Sequence, residues 1–162
     1  MKVSMLEQPD LPPQNLEAVL EFFTTSPHHQ ATGISVVSAD AKMARMQVLY
    51  DKRFIGNPDT GAVHGGLVTT MMDATGGLAV LAQVPAGTAI ATLDLRLDYL
   101  RSAKPGQDLI GEAECFKITS NIAFSRGTAY EKDNAADPIA NFIATYMIKP
   151  VGIGMATGGD AA

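Results

Sequence analysis

The sequence predicts an α+β fold in which an antiparallel sheet wraps around one long central helix. Residues 65–83 form a single long apolar segment of helical length that ends at the turn formers QVPAG. After it the pattern changes to a period of two, because leucines recur at alternate positions in TLDLRLDYL. Three more strand-like segments follow with short turns between them, which is typical of an antiparallel sheet. We expect the helix to cover the hydrophobic face of this sheet.

Shorter elements are predicted before the long helix. The proline-rich residues 1–13 are expected to be a flexible arm, and a single domain is expected over residues 14–150. Asn15 can cap a short helix in LEAVLEFFTTS, which Pro27 is expected to end. GISVVSAD and AKMARMQVLYD then predict two strands, and the turn formers of KRFIGNPDTGAV predict a loop over residues 52–63.

Four strands are predicted after the long helix. Their segments are TAIATLDLRLDYLRS, DLIGEAECFKIT, IAFSRGTAYEKD and PIANFIATYMIKP, and we expect them to pair in hairpin succession. The Gly-rich residues 151–162 are expected to be a flexible tail. The helix is apolar nearly all round, so one sheet covers only one of its sides and a further partner must cover the rest.

The composition excludes several classes of protein. The chain has 162 residues, of which 46% are hydrophobic, and a formal net charge of −5, which argues against a nucleic-acid binder. Residues 62–84 do not suit a membrane span, because Asp73 would lie near the bilayer centre at a cost of roughly 2.5–3.5 kcal/mol. The single Cys115 suits a reducing compartment, and the N-terminal sequence has no signal-peptide pattern. We therefore expect a soluble, cytoplasmic protein.

Asp73 is the one charged residue between Asp59 and Asp94. An ionised carboxylate is costly to bury without a partner, because it loses its hydration. A functional interpretation makes Asp73 a general base or a nucleophile that acts on a bound carbonyl group. A structural interpretation places it on a narrow wet face of the helix beside Thr69 and Thr70, where hydrogen bonds satisfy it.

The long helix begins with two glycines, so the backbone of its first turn is not covered by side chains there. Gly65 and Gly66 follow His64 at the first turn, where N–H groups lack internal partners and carry the positive end of the helix dipole. Glycines at this place let a ligand oxygen approach closely, so the segment predicts an oxyanion pocket. The alternative is tight packing of the helix end against a neighbouring strand.

The spacing of Gly65 and Asp73 limits how they can act together. Eight residues on a helix correspond to roughly 12 Å of rise, so the two residues of one subunit cannot easily reach the same carbonyl group. Two helices packed antiparallel in a two-fold dimer would bring Gly65 of one subunit near Asp73 of the other. The same dimer would bury the uncovered side of the helix.

These residues resemble a known family. GAVHGGLVTTMMDATGG, then ATLDLRLDYLRSAKPGQ, then the GEAECFK, RGTAYEKD and IANFIATYMI strands are similar to hotdog-fold acyl-CoA thioesterases of the PaaI-like, phenylacetate-pathway type. The resemblance covers roughly residues 30–149. It implies a hotdog fold and hydrolysis of a short-chain, medium-chain or aromatic acyl-CoA at a homodimer interface, commonly within a homotetramer. It also implies that no metal or cofactor is needed, since coenzyme A is part of the substrate.

The resemblance also implies roles for individual residues. Gly65 would donate its backbone N–H to the thioester carbonyl, and Asp73 of the partner subunit would act as general base or nucleophile. His64 would orient the carbonyl group or the leaving thiol, and Asn57 would assist in positioning. Thr92 falls where related enzymes hold a hydroxyl group near the attacking water.

The predictions for the other candidate residues are weaker. Gly66 would line the substrate site, and Arg101 and Lys104, near a strand end, are candidates to contact a CoA phosphate, although surface charges are usually only solvated. The adjacent histidines of SPHHQ predict solvated loop residues and no metal site. Cys115 has no histidine at a telling distance, so a cysteine nucleophile is not expected.

Two further functions stay open at this point. One is a non-catalytic module that binds or senses acyl-CoA on the same fold, for which Asp73→Asn would change nothing. The other is a scaffold without a ligand, which gives no reason for a lone carboxylate in the central helix.

Overall fold

The computed structural model describes residues 16–150 of the chain. The predicted arm over residues 1–13, the cap at Asn15 and the tail over residues 151–162 lie outside this range. The helices are α1 (Leu16–Thr25), α2 (Pro27–Thr32) and α3 (Gly65–Leu81). The strands are β1 (Ile34–Ala39), β2 (Ala44–Val48), β3 (Ile55–Asn57), β4 (Ala62–Val63), β5 (Thr88–Tyr99), β6 (Leu109–Ile118), β7 (Ile122–Glu131) and β8 (Ala140–Pro150).

Six strands form one antiparallel sheet in the order β1-β2-β6-β7-β8-β5. The predicted antiparallel sheet with one long helix packed against it is therefore confirmed. The predicted hairpin succession is wrong for one strand, because β5 pairs with β8 along its whole length and not with β6. The physical reason is that α3 carries the chain across the inner face of the sheet, so that β5 begins at the far edge. The chain then returns to place β6 beside β2.

Two local predictions also need correction. Pro27 follows the end of α1 but opens the second helix α2, as expected of a proline in a first helical turn. Residues 52–63 are more ordered than a plain loop, because they contain a short 3-10 turn and the two-stranded β3–β4 hairpin. The side chain of Asn57 closes this hairpin turn by accepting a hydrogen bond from the Asp59 N–H at 2.9 Å.

The hydrophobic core lies between α3 and the inner face of the sheet. Its largest fully buried side chains include Met46, Met71, Met72, Leu78, Leu109, Val80 and Tyr146. One stripe of α3 stays partly open in the single chain, and it comprises Gly65, Gly66, Thr69, Thr70 and Asp73 at helical spacing. The helix is thus covered on most sides, and the open stripe runs from its first turn to the lone carboxylate.

The helices that the structure describes are all too short or too polar to span a membrane. α3 is the longest of them, with 17 residues, whereas a span needs about 20 consecutive apolar residues.

Two adjacent glycines on α3 meet very different surroundings. A Cβ atom at Gly76 would overlap the hydroxyl oxygen of Tyr146 and would come within 2.7 Å of Ser125 Oγ. A Cβ atom at Gly77 would meet the Cδ1 atom of Ile90 at 3.2 Å, which is the far end of a flexible side chain, and Tyr146 Cε1 at an ordinary contact distance of 3.8 Å. Only Gly76 is therefore required by close packing of the helix on the sheet.

We expect Gly76→Ala to lower the free energy of unfolding by about 2 kcal/mol, because overpacking outweighs the better helix propensity of alanine. Gly77→Ala is the matched control, and it should be neutral or stabilising by up to about 1 kcal/mol. Urea unfolding followed by circular dichroism measures both values. Equal effects of the two substitutions would contradict the described packing of α3.

Candidate active site

The first turn of α3 leaves one backbone donor free. His64 is the N-cap residue: its Nδ1 atom accepts from the Gly66 N–H at 2.9 Å, and its carbonyl oxygen accepts from the Leu67 N–H at 3.0 Å. No acceptor among residues 16–150 receives a hydrogen bond from the Gly65 N–H. This N–H therefore stands at the positive end of the helix dipole and is free to bind a ligand oxygen.

The same contacts fix His64. Because Nδ1 accepts a hydrogen bond, the ring N–H lies on Nε2 and is free to donate. The His64 N–H donates to the carbonyl oxygen of Phe54 at 2.7 Å, which ties the helix start to the β3–β4 hairpin. Gly56 lies directly beneath, and a Cβ atom there would come within 2.7 Å of His64 Cα. Glycine at position 56 is thus required for the hairpin to approach the helix.

A cleft of about 520 Å³ opens beside the helix start. The structure brings four of the predicted site residues into its lining, which are Asn57, His64, Gly65 and, from the segment after β5, Lys104, whereas Gly66 is not among the lining residues. The other lining residues are Gly56, Thr60, Ala62, Val63, Ser102, Ala103 and Pro105. Residues that carry a free backbone donor, an imidazole, an amide and an ammonium group therefore line a common space.

Asp73 and Thr92 meet at a second place. Thr92 Oγ1 donates to Asp73 Oδ1 at 2.8 Å, which joins the open stripe of α3 to β5. Neither residue lines the cleft at the helix start. The predicted site is therefore divided within one chain, with the oxyanion donor at one end of the stripe and the carboxylate two turns further along.

Sequence reasoning missed two tyrosines at this site. Tyr146 on β8 is the register partner of Thr92, and its hydroxyl donates to the backbone carbonyl oxygen of Asp73 at 3.0 Å. Burial, more than any other cause, raises the pKa of Tyr146, so its hydroxyl keeps its proton and stays a donor. Tyr99, at the end of β5, contacts the carbonyl oxygen of Gly65. The alternation of both strands places each tyrosine, but nothing in it marks a contact with α3.

Arg101 has a different set of partners from the predicted CoA phosphate. Its guanidinium group forms two hydrogen bonds to the carboxylate of Glu131 and lies 2.9 Å from a carboxylate oxygen of Asp137. Glu131 is only 3% exposed, and it also accepts from the backbone N–H of Lys104 at 3.0 Å. The phosphate contact of Arg101 stays a prediction, while its observed contacts hold the cleft wall that carries Lys104.

The remaining candidates have ordinary structural surroundings. Cys115 is buried, and its burial raises the pKa of the thiol to about 11, so it is not poised as a nucleophile. The ring of His29 stacks on Phe23 with 5.3 Å between the ring centroids. Within the described part of the chain, no three His, Cys, Asp or Glu side chains form a group that could hold a metal ion. The expectation that no cofactor is needed stays a prediction.

Comparisons with known proteins identify the family. The sequence profile of the Thioesterase superfamily matches residues 60–136, which include the Gly65 donor and the Asp73–Thr92 pair. A curated protein of Halobacterium salinarum, named as a candidate esterase, is 33% identical over 108 residues that cover 65% of this chain and 70% of that protein. This chain belongs to the thioesterase superfamily. It is a thioester hydrolase with a hotdog fold, as the sequence resemblance implied.

Other comparisons agree with this family. The crystal structure of a Pseudomonas aeruginosa protein is 40% identical, with a TM-score of 0.73, and the match covers 82% of this chain and 97% of that one. The medium/long-chain acyl-CoA thioesterase YigI of Escherichia coli is 23% identical over 83% of this chain and 94% of its own length. The E. coli PaaI protein from the phenylacetic acid degradation operon shares the fold, with a TM-score of 0.72 at 17% identity, over 84% of this chain and 95% of that one.

The Arg101–Glu131 ion pair at the cleft wall predicts how the free energy of unfolding depends on pH. The hydrogen bonds from Arg101 are the largest cause that lowers the pKa of Glu131 from 4.5 to about 2. A carboxyl group whose pKa is lowered by folding stabilises the protein fully at pH values above the pKa that it has in the unfolded chain. That stability is lost as the pH falls toward the pKa of the group in the folded protein. We therefore expect Glu131→Gln to lower the free energy of unfolding at pH 7 by about 3 kcal/mol.

This difference from the wild type should shrink as the pH is lowered from about 4.5 to about 2, as measured by urea unfolding at a series of pH values. The control is Glu114→Gln, which removes an exposed pair with Arg126 and should cost at most about 1 kcal/mol. A Glu131→Gln penalty that does not change over this pH range would show that the ion pair is not its cause.

Proposed function

We propose that this thioesterase hydrolyses an acyl-CoA thioester in an active site that two copies of the chain build together. The Gly65 N–H of one subunit polarises the thioester carbonyl, and Asp73 of the partner subunit activates the attacking water or attacks directly. One observation carries the proposal: a free backbone donor and a carboxylate lie on the same open stripe of α3 but too far apart for one carbonyl group.

The edge strand β5 supports a second copy as the partner. It pairs with β8 on one side only, and its 12 residues leave a long free edge within the described chain. Leu93 and Leu100, on this strand and directly after it, are more than half exposed. A long edge with apolar side chains is a hazard that proteins cover. An antiparallel β5 from a second copy, related by a two-fold axis, would cover it and would place the two α3 helices side by side.

The chemistry follows from the described contacts. As the carbonyl oxygen gains negative charge in the transition state, the Gly65 N–H stabilises it without reorganisation. His64 also lines the cleft, and its Nε2–H can orient the carbonyl group or donate to the leaving thiolate. Thr92 donates to one oxygen of Asp73 and leaves the other free to take a proton from water or to attack the carbonyl carbon.

The remaining contacts fit a coenzyme A ester. Lys104 supplies a positive charge in the lining of the cleft for a phosphate group, and Asn57 lines the same cleft. Gly66 lies in the first turn of α3, where His64 binds its N–H. The E. coli relative YigI is named for medium-chain and long-chain acyl-CoA, which supports a medium-chain acyl group among the short-chain, medium-chain and aromatic substrates expected. A cytoplasmic homodimer, assembled further into a tetramer, completes the proposal.

We expect Asp73→Asn to lower kcat by about 10²–10⁴, because the amide cannot act as a base or a nucleophile. Turnover of a panel of acyl-CoA substrates, followed with a thiol reagent, measures the loss. Unfolding should show equal or greater stability, because carboxylates at catalytic sites are often retained at a cost in stability.

The control is Asp133→Asn, which changes an exposed residue in the turn between β7 and β8 and should leave kcat unchanged. Wild-type protein that binds a non-hydrolysable acyl-CoA analogue but hydrolyses no acyl-CoA would favour the binding or sensing module instead.

Mixing two inactive variants tests the shared site. Gly65→Pro removes the N–H at a position where proline fits, because Gly65 is the first helical residue and His64 already has the extended backbone that precedes proline. Gly65→Pro and Asp73→Asn should each be nearly inactive alone. Random mixed dimers should regain about a quarter of wild-type activity, because each heterodimer keeps one intact site of two.

Gly65→Ala keeps the N–H and separates loss of the donor from local strain at Tyr99. Absence of any regained activity in mixtures with proven subunit exchange would place Gly65 and Asp73 of one chain in the same site and refute the shared arrangement.

A further inference from the structure

Tyr99 makes an unusual contact with the helix start. Its hydroxyl donates to the carbonyl oxygen of Gly65 at 2.6 Å and lies 2.8 Å from Thr69 Oγ1. Since the Tyr99 proton is used on Gly65, the Thr69 hydroxyl can donate in turn to the Tyr99 oxygen or, at 3.3 Å, to the Gly65 carbonyl oxygen, so the three groups form a small hydrogen-bonded cluster. The side chain of Tyr99 is 48% exposed in the single chain, so core packing does not explain it.

The residue that Tyr99 holds is the one with the free donor. Glycine has more backbone freedom than any other residue, and within the described residues the Gly65 N–H makes no hydrogen bond of its own. The Gly65 carbonyl belongs to the next peptide group, so the Tyr99 bond acts on this N–H through the φ and ψ angles of Gly65. The Tyr99 ring also packs closely on Gly65, because a Cβ atom there would lie only 3.3 Å from the hydroxyl oxygen and 3.4 Å from Cζ. Tyr99 thus restrains Gly65 by a hydrogen bond and by contact.

The end of strand β5, which carries Tyr99, is itself held in place. The next residue, Leu100, donates its N–H to the Ile139 carbonyl oxygen at 2.8 Å, and Arg101 then pairs with the buried carboxylate of Glu131. The end of β5 is therefore fixed to β7 and to the start of β8. A continuous set of contacts therefore runs from the buried Arg101–Glu131 ion pair through Tyr99 to the carbonyl group of Gly65.

We infer that Tyr99 is a positioning residue that holds the Gly65 N–H in the direction needed to bind the thioester carbonyl. The inference rests on the proposed function of Gly65 as the oxyanion donor. Misplacement of a catalytic group by about 1 Å can cost 10²-fold in rate, and complete loss of one such donor costs 10²–10³-fold. A donor that is retained but poorly held should cost less than one that is lost.

Tyr99→Phe is the test, with Tyr130→Phe as the matched control because the Tyr130 hydroxyl faces Glu112 and does not contact α3. We expect Tyr99→Phe to lower kcat on an acyl-CoA substrate by about 10- to 100-fold, with KM changed less than about threefold. The 15N relaxation of the Gly65 amide, in protein labelled with 15N-glycine, gives a second measurement that does not need activity. Its order parameter should fall clearly below the rigid value of about 0.85 in Tyr99→Phe only.

The outcomes separate this inference from the proposed function. A rigid Gly65 amide in Tyr99→Phe, or an equal loss of kcat in Tyr130→Phe, would overturn the positioning role. Wild-type protein without thioesterase activity would refute the proposed function, and the relaxation data alone would then decide whether Tyr99 holds Gly65. If Tyr99→Phe does not fold, Thr69→Val serves as the second variant, because it removes the hydroxyl that contacts both the Tyr99 oxygen and the Gly65 carbonyl oxygen and should have a smaller effect in the same direction.

Discussion

The unsatisfied backbone at the start of α3 is the constraint on which the rest of the site depends. A helix cannot bond its own first N–H groups, and His64 satisfies those of Gly66 and Leu67 but not that of Gly65. The donor is part of the main chain, so its position is set by the fold and it pays no side-chain entropy on binding. The contacts around it, from Gly56 beneath His64 to Tyr99 beside Gly65, all restrict where this single peptide can point.

Asp73 is held from two directions by residues that are partners across β5 and β8. Thr92 donates to its side chain, and Tyr146 donates to its main chain. A bulge in β5 between Thr92 and Asp94 makes this arrangement fit, because it shifts the register of the strand by one residue. Thr92 and Tyr99 are seven residues apart and would face opposite sides of a regular strand. With the bulge, both face α3.

The most buried ion pair described in the chain, Arg101 with Glu131, is structural. Glu131 is almost fully buried, and its pKa is lowered because Arg101 satisfies its carboxylate, whereas the proposed catalytic carboxylate of Asp73 stays on the open stripe of α3. A perturbed pKa marks either a catalytic group or an ion pair, and here the geometry decides for the ion pair. Its place at the cleft wall, with a bond to the Lys104 backbone, still links it to the site.

Local patterns in the sequence are enough to identify most of the elements and two chemical groups of the site. Periodicity of 3.6 and of two identifies the central helix and the long strands, and the HGG segment with a lone Asp73 marks a donor and a carboxylate, because these signals are local. The three-dimensional contacts are needed to show that β5 pairs with β8, that Arg101 is bound by Glu131, and that Tyr99 and Tyr146 contact α3. Strand pairing and side-chain contacts join residues far apart in the chain. The bulge in β5 does not break the alternation of apolar residues in the sequence. Neither the long-range contacts nor the bulge can therefore be predicted from a local pattern.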